Sequence, residues 1–199
     1  MFNIKKLLSQ AVLALAMAAG AGAALAGPTY HVTLDTSALG QPAGYIDFTF
    51  LGLDFAAPAT ATLSNFSGAF GAVMAAGDAS GTIPGTVTIG NSEAWNEMLA
   101  EANFGGLFSF DLSFDVAAGA AGTTFGVAFI NAAFDDYLGA QGNVFEVNVQ
   151  PANARAPESY TESVDRRFVS VTKVPEPSDL LLMLTGLGLV GVTARRTKR

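Results

Sequence analysis

The chain has no cysteine. Disulfides, thiolate metal sites and a cysteine nucleophile are excluded together, and packing has to supply the stability of whatever folds. Histidine is almost as scarce: His31 is the single one in 199 residues. A Ser-His-Asp site would have to be built on it, yet no Gly-x-Ser-x-Gly turn occurs, and no His-Glu-x-x-His helix offers zinc a pair of imidazoles. His31 therefore reads as a strand residue and no catalytic residue is assigned; the chain is expected not to be an enzyme and to need no cofactor. Basic residues are rare between the two ends. From residue 27 to 178 sixteen Asp and Glu face only Arg155, Arg166, Arg167 and Lys173, leaving twelve net negative charges against −7 for the whole chain. Such a surface repels nucleic acid and anionic lipid, so neither is expected as a partner.

The remaining positive charge sits at the termini. Lys5 and Lys6 precede an uncharged apolar run from Leu7 to Ala18, and Ala24-Leu25-Ala26 forms a small-x-small cleavage site ahead of Gly27. Residues 1–26 read as a signal peptide and 27–173 as one exported domain, large enough for a core of its own. At the other end Val174-Pro175-Glu176-Pro177-Ser178 is followed by an apolar run over 180–194, then by Arg195, Arg196, Lys198 and Arg199 in the tail 195–199. As a helix that run spans about 22 Å, short of a hydrocarbon core of about 30 Å. Gly186, Gly188 and Gly191 weaken it further. It suits a transient transmembrane helix, with the basic tail as a stop-transfer signal held on the cytoplasmic side. Pro175 and Pro177 fix φ and lack amide donors, and each holds the residue before it extended. Glu176 is the only charge within the motif.

Motif, apolar run and basic tail in this order resemble the PEP-CTERM sorting signal of Gram-negative bacteria. The resemblance covers residues 174–199. It implies that an integral-membrane transpeptidase, exosortase, reads Pro175, Glu176 and Pro177, flanked by Val174 and Ser178, and removes the tail. It also implies a precursor held transiently in the inner membrane, then a product at the cell surface or in the extracellular matrix. Tyr30-His31-Val32-Thr33-Leu34-Asp35 and Phe108-Ser109-Phe110-Asp111-Leu112 are similar to uncharacterised ectodomains of such proteins, and bring no activity with them.

Within 27–173 the periodicity is that of strands. From Phe108 to Val116 every second residue is large and apolar and the others are polar, which marks a strand with one wet face. Tyr45–Phe50 repeats the pattern with Ile46, Phe48 and Phe50 inward, as do Phe125–Phe129 and Phe145–Val149. Weaker candidates are Tyr30–Leu34, Ala59–Phe66, Thr86–Ile89 and Phe168–Val174. About eight short strands punctuated by Gly, Pro, Asn and Asp predict an all-β fold, an antiparallel β-sandwich of jelly-roll-like form. Signal and transmembrane helices are expected outside it, and one short helix within: Ser92 as its cap, Trp95, Met98 and Leu99 on one side, Asn103 and Gly105-Gly106 as its stop. Trp95 is then expected to anchor the core.

Few constellations carry chemistry. Asp111 and Asp115 share a strand face at a spacing of about 13 Å, too wide for a glycosidase pair. Asp135 and Asp136 are the only candidates for a calcium site, and no Asp-x-Asp-x-Asp-Gly loop accompanies them. Asn65-Phe66-Ser67 matches the glycosylation triplet by chance in a chain with a bacterial sorting signal. The resemblance makes the chain an exported structural protein of the cell envelope or of the extracellular polysaccharide matrix. The rival is a carbohydrate-binding module, which exposed Tyr45, Tyr137 or Trp95 on a concave sheet face would favour. A hydrolase would need His31 or two carboxyls brought together in a cleft.

Overall fold

The computed structural model describes residues 27–40 and 42–174. Among them are twelve strands and no helix. The signal segment 1–26, the motif positions Pro175 to Ser178, the apolar run 180–194 and the basic tail lie outside the described residues.

Two six-stranded antiparallel sheets face each other. The first has the order β12 (Val169–Val174), β1 (Thr29–Asp35), β8 (Leu107–Val116), β3 (Ala59–Ser67), β6 (Val87–Gly90) and β5 (Ala79–Gly81). The second has the order β11 (Ser159–Val164), β10 (Phe145–Gln150), β9 (Thr123–Asn131), β2 (Gly44–Phe50), β7 (Glu97–Ala102) and β4 (Phe70–Ala76). The pairings are nested: β1 with β8, β2 with β7, and β3 with β6. The chain passes from one sheet to the other at nearly every turn between β1 and β9, so each crossing stitches the layers together.

Alternation decides which face goes inside. Phe108, Phe110, Leu112 and Phe114 of β8 are buried, as are Ile46, Phe48 and Phe50 of β2. Seven of the twelve largest fully buried side chains are phenylalanine. Phe48 meets Phe110 edge to face across the sheets at a centroid distance of 5.2 Å, and Phe50 and Phe125 close around Phe114 at 5.9 Å each. Edge-to-face packing sets the positive ring edge against a negative face and adds to the burial of apolar area. At one open side of the sandwich Lys173 of β12 bridges to Glu162 of β11 at 2.8 Å.

All eight expected strands are present. Four more, β4, β5, β7 and β11, were concealed by their composition. β5 has three residues, β4 is rich in Gly and Ala, and β11 is a polar edge strand. The helix expected from Ser92 to Asn103 is corrected to a turn followed by β7. Met98, Ala100 and Ala102 point inward, and Glu97, Leu99 and Glu101 outward. The apolar spacing fits either structure; the β2 and β4 ladders on both sides decide it, because only a strand satisfies their backbone groups. Trp95 is corrected with it: the side chain is 51% exposed, and Met98 alone of the expected helical face is fully buried. In β3 the register shifts between Ser64 and Ser67, and the bulge turns Phe66 inward against Phe48 and Phe110 while Asn65 stays out with φ 53°.

Phe110 sits at the centre of this ring cluster. Phe110→Ala should cost about 3–5 kcal/mol and lower the melting temperature by roughly 10 °C, read by thermal circular dichroism. A shift within error would mean the interlocked rings do not hold the sheets together.

Candidate functional site

With the interior filled, chemistry is left to the outer faces and the loops. On the first sheet β1 and β8 align His31 with Asp111. His31 Nδ1 lies 2.6 Å from Asp111 Oδ1, and Asn65 Nδ2 donates to Asp111 Oδ2 at 2.7 Å. Burial pushes the Asp111 carboxyl up, but the bonds from Asn65 and His31, with the histidine charge, outweigh it and hold it below the ordinary range. Ser64 is the next residue along this row, opposite Asp111. Asp111 thus separates serine from histidine, whereas a catalytic serine needs the imidazole beside it. The row lies on an open face with Ser109, Ser113, Thr33 and Thr62 around it. Asp115 is further along the same strand.

Asp135 is committed elsewhere. Asn131 Nδ2 donates to its carboxylate at 2.6 Å, and Asn131 Oδ1 accepts from the Ala133 and Asp135 amides, which closes a turn. Among the described residues no group of three or more His, Asp or Glu converges as a metal site. A crevice of about 670 Å³ at one end of the sandwich carries Asp54, Asp78, Glu93 and Asp115 on its walls, beside a 93% exposed Phe55, without bringing those acids together.

The second sheet is different. A groove of about 310 Å³ runs over β2 and β9, walled by Trp95 on one side and by Tyr137, Gln141 and Asn143 on the other. Its floor is Asp47 and Thr49 of β2 beside Gly126 of β9. Small residues keep it open. Asp47 is opposite Ala128 and Thr49 opposite Gly126, where a Cβ would come within 2.5 Å of Asn143 Nδ2 and 2.9 Å of Thr49 Oγ1. Trp95 is held by a bond from Nε1 to Glu97 Oε2 at 2.8 Å, and Asn143 donates to Glu146 at 2.9 Å. The backbone next to Trp95 is fixed by Asn96, which is fully buried: its Nδ2 donates to the Phe50 and Glu93 carbonyls, and its Oδ1 accepts from the Asp78 and Glu93 amides. Tyr137 is pinned from its own loop by an antiparallel bridge to Ile130.

Asp47 is the unusual group here. It is 5% exposed, and its Oδ1 has no hydrogen-bond partner. Burial, aided by the charge of Glu97, pushes its carboxyl up to about 7. Near neutrality it can both donate and accept, which an ordinary aspartate cannot.

The sequence singles out Trp95, Tyr45 and Tyr137, and the structure brings two of them together. Trp95 and Tyr137 are 51% and 44% exposed on the same groove, while Tyr45 stacks on Phe134 at 4.3 Å outside it. Sequence reasoning passes over Asp47, reading it as one more wet-face residue, and over Asn96, Gln141, Asn143 and Glu146. The signal available in the sequence is the pair of small outward residues, Gly126 and Ala128, alternating with Phe125, Val127 and Phe129. Comparison with protein-family models, with characterised proteins and with solved structures finds no match for this chain.

Because the folded state keeps a proton on Asp47 that the unfolded chain has released, stability falls as pH rises from about 4 to 7 and is level above. Asp47→Asn removes this loss, which is worth a few kcal/mol. At about pH 8 the variant should melt several degrees above the parent, and at about pH 5 close to it. An equal difference at both pH values would show that Asp47 is not protonated in the fold.

Proposed function

We propose that this chain is an exported structural protein of the bacterial cell envelope or extracellular polysaccharide matrix, released from the inner membrane by an exosortase that reads Pro175-Glu176-Pro177. The observation that carries the reading is the sequence order at 174–199, with a proline-stiffened acidic motif, a short apolar run and an arginine-rich end. The folded body is compatible with it. Val174, the last described residue, pairs with Thr29, so the motif would leave the sandwich at the edge where the domain begins. A body so acidic stays clear of anionic lipid while tethered beside it. We take the nested strand order as a jelly-roll arrangement, and Ala24-Leu25-Ala26 as the site at which the leader is removed.

No hydrolytic role is assigned. His31 has a carboxylate partner but no nucleophile beside it, and Asp47 has an acidic neighbour in Glu97 whose carboxylate is tied to Trp95. A second reading, a carbohydrate-binding module, is favoured by one observation: Trp95 and Tyr137 present half-exposed rings to a single groove. The two readings are compatible, since a matrix protein has to hold what surrounds it.

Replacing Pro175 and Glu176 together by alanine should leave the precursor uncut in the inner membrane, seen as a larger, membrane-associated band by immunoblot of fractionated cells. Normal maturation of that double variant would refute the role of the motif.

A further inference from the structure

The groove combines four properties. Two aromatic faces, Trp95 and Tyr137, stand half-exposed at its walls. Thr49, Thr124, Gln141 and Asn143 supply neutral donors and acceptors around it. A carboxyl that is 95% buried, Asp47, lies in the floor with one oxygen unpartnered. Glu97 and Glu146 add negative charge at either side, each already oriented by a hydrogen bond. At about 310 Å³ the space is at the lower end of the roughly 300–1,000 Å³ of small-molecule sites.

Each property narrows the occupant. A purely apolar ligand would take the Gln141 amide, and the remaining hydrogen-bonding capacity of Thr49, Thr124 and Asn143, out of water with nothing in exchange. An anion would meet the Glu146 carboxylate in the groove and that of Glu97 beside Trp95, on an acidic body. A metal ion lacks converging ligands among the described residues. A pyranose ring fits both kinds of wall: its C–H face packs on an aromatic plane by dispersion, and its hydroxyls donate to carboxylates and exchange bonds with amides and threonines. We propose that this groove binds a pyranose saccharide without carboxylates, clasped between Trp95 and Tyr137 over Asp47. The inference rests on the carbohydrate-binding reading and adds to it the class of sugar and the residues that hold it; it is independent of how the protein is sorted.

Trp95 is the only tryptophan of the chain, so intrinsic fluorescence reports this groove directly. The full-length chain, kept in a zwitterionic detergent free of sugar, is titrated with cellohexaose, chitohexaose and oligogalacturonate. The expected result is a saturable change in Trp95 emission with at least one of the two neutral oligomers and none with the galacturonate. Tyr137→Ala retains the reporter and, at a half-exposed position, the fold; it should weaken the binding about ten-fold. Binding that Tyr137→Ala leaves unchanged would put the sugar elsewhere and overturn the groove assignment while sparing the carbohydrate reading. Equal binding of the galacturonate would overturn the charge argument in the same way. Silence toward all three oligomers at millimolar concentration would overturn both.

Discussion

The edge-to-face contact of Phe48 with Phe110, and the ring cluster that spreads from it, is the constraint on which the rest depends. The chain has no disulfide to close its loops, so dispersion and apolar burial between two sheets must outweigh the cost of ordering it. Phenylalanine suits such a core, because a large apolar area is buried with only two side-chain torsions to fix. The consequence is an interior in which rings from β2, β8 and β9 interlock between the sheets.

A filled interior pushes function outward, and the two outer faces have been treated differently. On the first sheet short hydroxyl side chains alternate with the core residues, and Ser80 and Thr88 bond to each other at 2.9 Å. His31 and Asn65 both bond to Asp111 there, and Asp111 stands between the imidazole and Ser64. On the second sheet the loop after β9 and the turn before β7 rise above the face, and Gly126 and Ala128 lower the floor between them. A carboxyl on the central strand is consequently shut off from water without being given a partner. Burying such a group is costly. The fold tolerates that cost at Asp47 because the neutral form persists to about 7.

The strands that span the sandwich interior were legible because their alternation is extreme. Phe108 to Phe114 places an aromatic or leucine at every second position, and no helix could hide that face. β7 was not legible, since Met98, Ala100 and Ala102 alternate too weakly to override the helical spacing of Trp95, Met98 and Leu99. What selects the strand is non-local: open ladders on β2 and β4 that only an extended segment can fill. The groove was half legible for the same reason. Aromatic residues near turns stand out in a sequence, and so Trp95 and Tyr137 could be named. Asp47 could not, because the groove that encloses it is walled by Trp95 and by a loop ninety or more residues further on, and nothing near Ile46-Asp47-Phe48 marks it apart from Asp111 in Phe110-Asp111-Leu112.

Topology also relates the two ends of the proposed life of this protein. β1 and β12 lie at one edge of the first sheet, with Thr29 opposite Val174. A tether leaving Val174 therefore departs from the sheet that does not carry the groove. Trp95 and Tyr137 line the groove of the other layer, whereas Val174 ends the edge strand of the first. A domain held at Val174 beside a membrane, or joined there to something else after cleavage, keeps the groove unobstructed. Had the groove been built on the first sheet, the same attachment would crowd its rim. The placement of Trp95 and Tyr137 on the second sheet, and of Thr29 and Val174 on the first, would let the proposed anchorage and saccharide capture proceed at once in a single domain.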